Sequence, residues 1–158
     1  MVLFLKNFLF TVLVPGTVAG FLPYSILSRG GHLPPVVVPQ LLLATPLFAA
    51  GVAIYLWCLW DFAVTGRGTP APIDPPKHLV VRGLYRYVRN PMYVGVWLVV
   101  AAWTVAFRSA AMLRYAVAIA VMFHLVVLLV EEPLLRRRFG PAYEDYCRAV
   151  RRWLPRWR

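Results

Sequence analysis

Four apolar stretches, at about 8–27, 38–64, 93–107 and 110–130, occupy most of this 158-residue chain. An α-helix rises about 1.5 Å per residue, so roughly 20 apolar residues cross the ~30 Å hydrocarbon core of a bilayer. Lipid offers no hydrogen-bond partner to a bare backbone, so such stretches fold as helices that satisfy their own amides. The chain is 61% hydrophobic with a mean hydropathy of +0.67, well above the roughly half-apolar norm of soluble domains. The expectation is an all-α integral membrane bundle over 1–158, a single domain with about four transmembrane helices. The third stretch is short and borrows residues from its flanks. Very few residues separate it from the fourth, so these two form a tight antiparallel hairpin. Pro15, Gly16 and Pro23 kink the first, which is read as a retained anchor because it is too long for a signal-peptide core.

Charge orients the bundle. With four crossings, one side collects Lys6, five basic residues of the second connection and eight of the tail, 14 of the 17 lysines and arginines. Only Arg29, Arg108 and Arg114 face the other side. By the positive-inside rule both termini and both polar runs are cytoplasmic, as in a multi-pass protein of a bacterial-type plasma (inner) membrane. The net charge of +11 sits at the ends of apolar stretches, so anionic lipid headgroups, not nucleic acid, are the partner it implies. Cys58 and Cys147 form no disulfide framework and no zinc site, and no metal cluster is visible. Oligomeric state leaves no mark in the sequence.

The segment 65–77 is rich in proline and glycine and reads as a non-helical loop at the membrane surface. Pro133 opens a helix in the tail, Gly140-Pro141 interrupts it, and a second helix over 142–154 carries Tyr143, Tyr146, Cys147, Val150 and Leu154 at helical spacing with arginines between. That pattern is a C-terminal interfacial amphipathic helix.

Two polar runs flank the hairpin: His78 through Tyr93, containing Arg89-Asn90-Pro91-Met92-Tyr93, and Glu131-Glu132-Pro133 through Tyr143. Gly83 permits a positive φ or a close backbone approach, and Asn90-Pro91 fixes a turn that starts the third helix. Tyr85, Tyr87 and Tyr93 taken singly are an interfacial aromatic belt. Glu131 and Glu132 taken alone are a solvated helix-end pair, or neutralise nearby arginines. Paired across the hairpin, the two runs build a polar pocket at the bilayer surface. No glycine-rich dinucleotide loop or serine triad is present. His124 lies inside the fourth stretch, a weak catalytic candidate as a base and equally a structural histidine. Asp61 either pairs with an arginine or faces headgroups.

The spacing Gly-x-Tyr-x-x-x-Arg-Asn-Pro-x-Tyr, a hydrophobic hairpin, then Glu-Glu-x-x-Leu-x-x-x-Phe-Gly-x-x-Tyr-x-x-Tyr resembles the isoprenylcysteine carboxyl methyltransferases and the related phospholipid N-methyltransferases. The likeness covers roughly residues 77–155, about half of the chain. It implies S-adenosylmethionine as a cofactor bound by the cytoplasmic regions 77–93 and 131–155, and a lipophilic or lipid-linked acceptor. By position the cofactor contacts fall on Lys77, His78, Leu79, Val80, Tyr85, Asn90, Pro91, Met92, Tyr93 and either Glu131 or Glu132. One of the two carboxylates pairs with the methionyl ammonium, and aromatic faces suit adenine and the sulfonium. The family often has His where this chain has Asn90, which stays neutral. The isoprenylcysteine branch has a substrate-facing Arg where this chain has Val127, so the acceptor is left open among an amine, a carboxylate and a thiol. Two other readings compete: an NADPH-dependent membrane reductase resembling sterol reductases, and a non-catalytic membrane scaffold.

Overall fold

The computed structural model describes residues 2–30, 33, 35–66 and 78–155. Lys77 and most of the proline-rich loop expected over 65–77 lie outside the described residues. Those described form an all-α membrane bundle without strands. Three helices are long and apolar enough to cross a bilayer: the first, Leu5–Leu27; the second, Val38–Val64; and the fourth, Ala110–Phe139. The third, Pro91–Phe107, is apolar but has only 17 residues, about 25 Å at 1.5 Å per residue. The fourth, at 30 residues, reaches about 45 Å. Its last turns therefore stand in the headgroup region, and those turns carry both glutamates.

The hairpin between third and fourth helices is as short as expected. Arg108 takes the left-handed conformation at φ 45°, and the Ser109 hydroxyl accepts a hydrogen bond from the Met112 amide at 3.4 Å. Second and third helices meet backbone to backbone: a Cβ on Gly51 would lie 2.7 Å from the Gly95 carbonyl oxygen, and one on Gly95 would lie 2.8 Å from that of Gly51. Small residues at a crossing let two helices gain close packing where lipid supplies no hydrophobic drive. Outward-facing side chains such as Leu42 and Leu129, 70% and 66% exposed, meet the lipid.

Proline irregularity takes a specific form. Thr17–Phe21 in the first helix and Val127–Glu131 in the fourth are π turns, each ending two residues before a proline. Leu22 donates its amide to the Thr17 carbonyl, and Glu132 donates to that of Val127. Widening the ladder by one residue accommodates a ring that cannot donate and that crowds the preceding turn. The fourth helix thus runs through Pro133 instead of stopping for a new helix to open there. In the first helix, Pro23 leaves the carbonyls of Val18 and Ala19 without their usual donors. Tyr115 hydroxyl donates to Val18 at 2.7 Å and Trp103 Nε1 to Ala19 at 2.9 Å, the repair that a proline inside a bilayer requires.

The tail helix is Pro141–Ala149, shorter than expected. Gly140 turns the chain at φ 51°, as the Gly-Pro pair implied. Tyr143, Tyr146 and Val150 are buried against Leu79, Leu135 and Phe139. The apolar face of this helix covers the connection between second and third helices.

Candidate functional site

Gly83 sets where the connection lies. Its φ is +53°, and a Cβ there would come within 2.1 Å of Asp61 Oδ2 and 2.8 Å of Trp57 Nε1. Only glycine lets the turn Gly83–Arg86 rest on the end of the second helix. Asp61 is buried there, with Arg82 Nε 3.9 Å from its Oδ1. Tyr85 comes next, buried and edge-on to Phe62 with centroids 5.6 Å apart.

The tail closes over this turn by hydrogen bonds to its backbone. Tyr146 hydroxyl donates to the Tyr85 carbonyl at 2.6 Å, the Arg89 amide donates to the Arg151 carbonyl at 2.9 Å, and Asn90 Nδ2 donates to the Arg152 carbonyl at 3.1 Å. Burial pushes the phenols of Tyr85 and Tyr146 above the usual tyrosine range, so both remain protonated donors at physiological pH.

The two glutamates, adjacent in sequence, have separate surroundings. Glu132 is 4% exposed and surrounded by guanidinium groups. Arg152 grips it with two bonds, Nε at 2.6 Å and Nη2 at 3.0 Å; Arg89 Nη1 lies at 3.2 Å and Arg136 Nη2 at 3.9 Å. The bond to Glu132 raises the Arg152 pKa above the usual arginine value. Glu131 instead accepts a hydrogen bond from the Tyr93 hydroxyl, joining the third helix to the fourth at the bilayer surface.

Glu131 and Tyr93 border a cavity of about 230 Å³. Of the residues expected from sequence, Leu79, Val80, Tyr85, Asn90, Met92, Tyr93 and Glu131 line it. His78 is exposed and Glu132 is turned into the arginines; neither lines the cavity, nor does Pro91, which is buried beside it. His124 does not line it either: it is exposed, and its Nδ1 accepts a bond from Trp153 Nε1 at 3.1 Å. The structure adds residues that the sequence pattern did not single out. Phe10, Val14 and Val18 come from the first helix, Tyr55 and Phe62 from the second, Phe123 from the fourth, and Arg89, Tyr143 and Tyr146 from the connection and tail. Arg89, Tyr143 and Tyr146 belong to the motif-bearing polar segments. The first-helix residues carried no signal, because one apolar side chain of a span looks like the next.

The cavity has a polar end, made by Arg89, Asn90, Tyr93 and Glu131, and an apolar remainder that extends between the first helix and the others. Several polar groups in and beside its wall have spent donors within the protein. Tyr93 has spent its hydrogen on Glu131. The single hydroxyl hydrogen of Thr11 goes to the Asn7 carbonyl, so at 2.7 Å it is Tyr55 that donates to Thr11. Asn90 spends one amide hydrogen on Arg152 and keeps the other, with its carbonyl oxygen. A ligand that brings positive charge and N–H groups at one end and an apolar body at the other suits such a wall.

The family model described as phospholipid methyltransferase matches residues 39–142, a span that holds the second, third and fourth helices and both glutamates. No curated protein and no solved structure gives a significant match to the chain.

Proposed function

Since the chain belongs to the phospholipid methyltransferase family, a methyltransferase with a lipid-type substrate, we propose that it uses S-adenosylmethionine to methylate a lipid amine at the cytoplasmic face. The observation that carries this reading is Glu131, a carboxylate held by Tyr93 at the polar end of an otherwise apolar cavity. The residues present suit the cofactor. Glu131 offers a carboxylate to its ammonium, the Asn90 carbonyl and the backbone of Leu79 and Val80 offer bonds to adenine or ribose, and Tyr85, Tyr93 and Tyr143 offer aromatic faces. At about 230 Å³ the cavity is below the ~300–1,000 Å³ of most small-molecule sites.

Held by Glu131, Asn90 and the backbone of Leu79 and Val80, S-adenosylmethionine would supply a methyl group activated on a sulfonium to an acceptor amine, its C–S bond breaking as the N–C bond forms and the amine's proton leaving to the headgroup side. The chain's own task is alignment and exclusion of water. Met92 and Phe123 line the cavity, and Phe10, Val14 and Val18 would give an acyl chain a surface to lie on. Val127 stands where the isoprenylcysteine branch has its substrate-facing Arg, which favours a lipid amine over a carboxylate as the acceptor.

Purified protein titrated calorimetrically with S-adenosylmethionine and with NADPH tests the cofactor. Transfer of labelled methyl to an aminophospholipid, a fatty acid and a lipid thiol tests the acceptor. Binding of S-adenosylmethionine and labelling of the amine are expected. NADPH binding in its place rejects the reading in favour of a reductase, and binding of neither favours a scaffold.

A further inference from the structure

We propose that Arg89 binds the carboxylate at the amino-acid end of the cofactor, so that Glu131 and Arg89 hold the two charges of one zwitterion. The proposal rests on reading the cavity as the S-adenosylmethionine site. Arg89 lines the same cavity as Glu131, and its side chain is only 11% exposed. Nη1 is occupied, 3.2 Å from Glu132 Oε1 and 2.7 Å from Cys147 Sγ. Nε is buried and has no hydrogen-bond partner among the described residues. A buried N–H donor without a partner is costly, and most such groups in folded proteins are matched by protein, water or ligand. An anionic oxygen matches a guanidinium donor best.

Charge points the same way. Glu132 is a single carboxylate facing Arg89, Arg136 and Arg152, so it does not by itself neutralise the cluster, and of the three guanidinium groups Arg89 is the one that lines the cavity. Position narrows the choice of anion. The ammonium and carboxylate of an α-amino acid share one carbon, so their partners must stand side by side. Glu131 is next in the chain to Glu132, which touches Arg89 directly. A phospholipid phosphate offers the same oxygen chemistry, but the amino-acid carboxylate is the anion that arrives already tethered to the charge Glu131 accepts.

Decarboxylated S-adenosylmethionine lacks only the group in question, which gives a test by binding without turnover. Wild-type protein, Arg89→Gln and Arg89→Lys are titrated calorimetrically in detergent with both compounds. Wild type should prefer the carboxylated compound roughly ten- to hundredfold, the worth of a charge-assisted bond in a partly desolvated site. Arg89→Gln should bring the two affinities close together. Arg89→Lys keeps a cation beside Glu132, and with it the fold, while removing the Nε donor; it should lose part of the preference. Equal weakening of both compounds in the variants, or no preference in wild type, overturns the proposal. So does an intact preference accompanied by weaker binding of aminophospholipid micelles, which assigns Arg89 to the phosphate. Wild type that binds neither compound rejects the cofactor reading itself, an outcome distinct from these.

Discussion

Glu131 and Glu132 carry the same chemistry one residue apart, and the fold gives them different work. Glu131 meets the cavity through Tyr93, while Glu132 ties the tail to the connection through Arg89 and Arg152. Glu131→Gln should therefore reduce S-adenosylmethionine affinity roughly ten- to hundredfold with little change in thermal stability, read by calorimetry and by melting in detergent. Glu132→Gln should do the reverse first. Removing one partner of a buried ion pair costs up to about 3–5 kcal/mol, less here because Arg136 and Arg152 are partly solvated, so a lowered melting temperature is the primary readout. A melting temperature that falls for Glu131→Gln and holds for Glu132→Gln would reverse the two assignments. Gly83→Ala belongs at this scale too. It puts a methyl group on the Asp61 carboxylate and strains a φ of +53°, so it should displace the connection and weaken cofactor binding although Gly83 itself does not line the cavity.

Among the elements, the first helix shows how a bilayer changes the rules. Its π turn before Pro23 frees two carbonyls, and Tyr115 and Trp103 from other helices answer them. Hydrogen bonds between membrane helices average only about 0.6 kcal/mol, because a lost partner is usually replaced. Here proline has already removed the intrahelical alternative, so Tyr115→Phe and Trp103→Phe should each cost nearer to 1–2 kcal/mol, roughly the range for stranding a buried acceptor. Unfolding titrations of the two variants against wild type measure this; losses below about 0.6 kcal/mol would mean that the helix relaxes to satisfy itself. The fourth helix uses the same π device at Val127–Glu131. One extra residue in a turn rotates the rest of the helix by about 100°, and past this turn Glu131 lines the cavity while Glu132 faces the arginines.

Across the whole molecule, the hairpin returns the fourth helix to the side where the third began, so Asn90 and Glu131 line one cavity. Both polar runs must then share a side of the membrane. Single cysteines placed at His78 and at Arg108, in a background without Cys58 and Cys147, should be modified from opposite faces of the membrane in intact cells, His78→Cys from the cytoplasm. Modification of both from one side would refute the four-crossing arrangement.

Length and apolarity are local and additive properties, each residue contributing its own transfer free energy, so the spans, the two-residue hairpin and the polar runs at its base could be read along the chain. Motif spacing was equally local, and it named Tyr93, Asn90 and the acidic pair. Three things depended on residues distant in sequence. Which glutamate faces the cavity depends on Tyr93 on one side and on Arg89 of the connection and Arg152 of the tail on the other. The first helix became a wall of the cavity because Val18 and Ala19 are held by Tyr115 and Trp103. The tail, whose own pattern suits a lipid surface, also closes over the connection, because Tyr146 and the tail backbone find partners in Tyr85, Arg89 and Asn90. Each of these rests on a contact between elements, and contacts between elements exist only once the chain has folded.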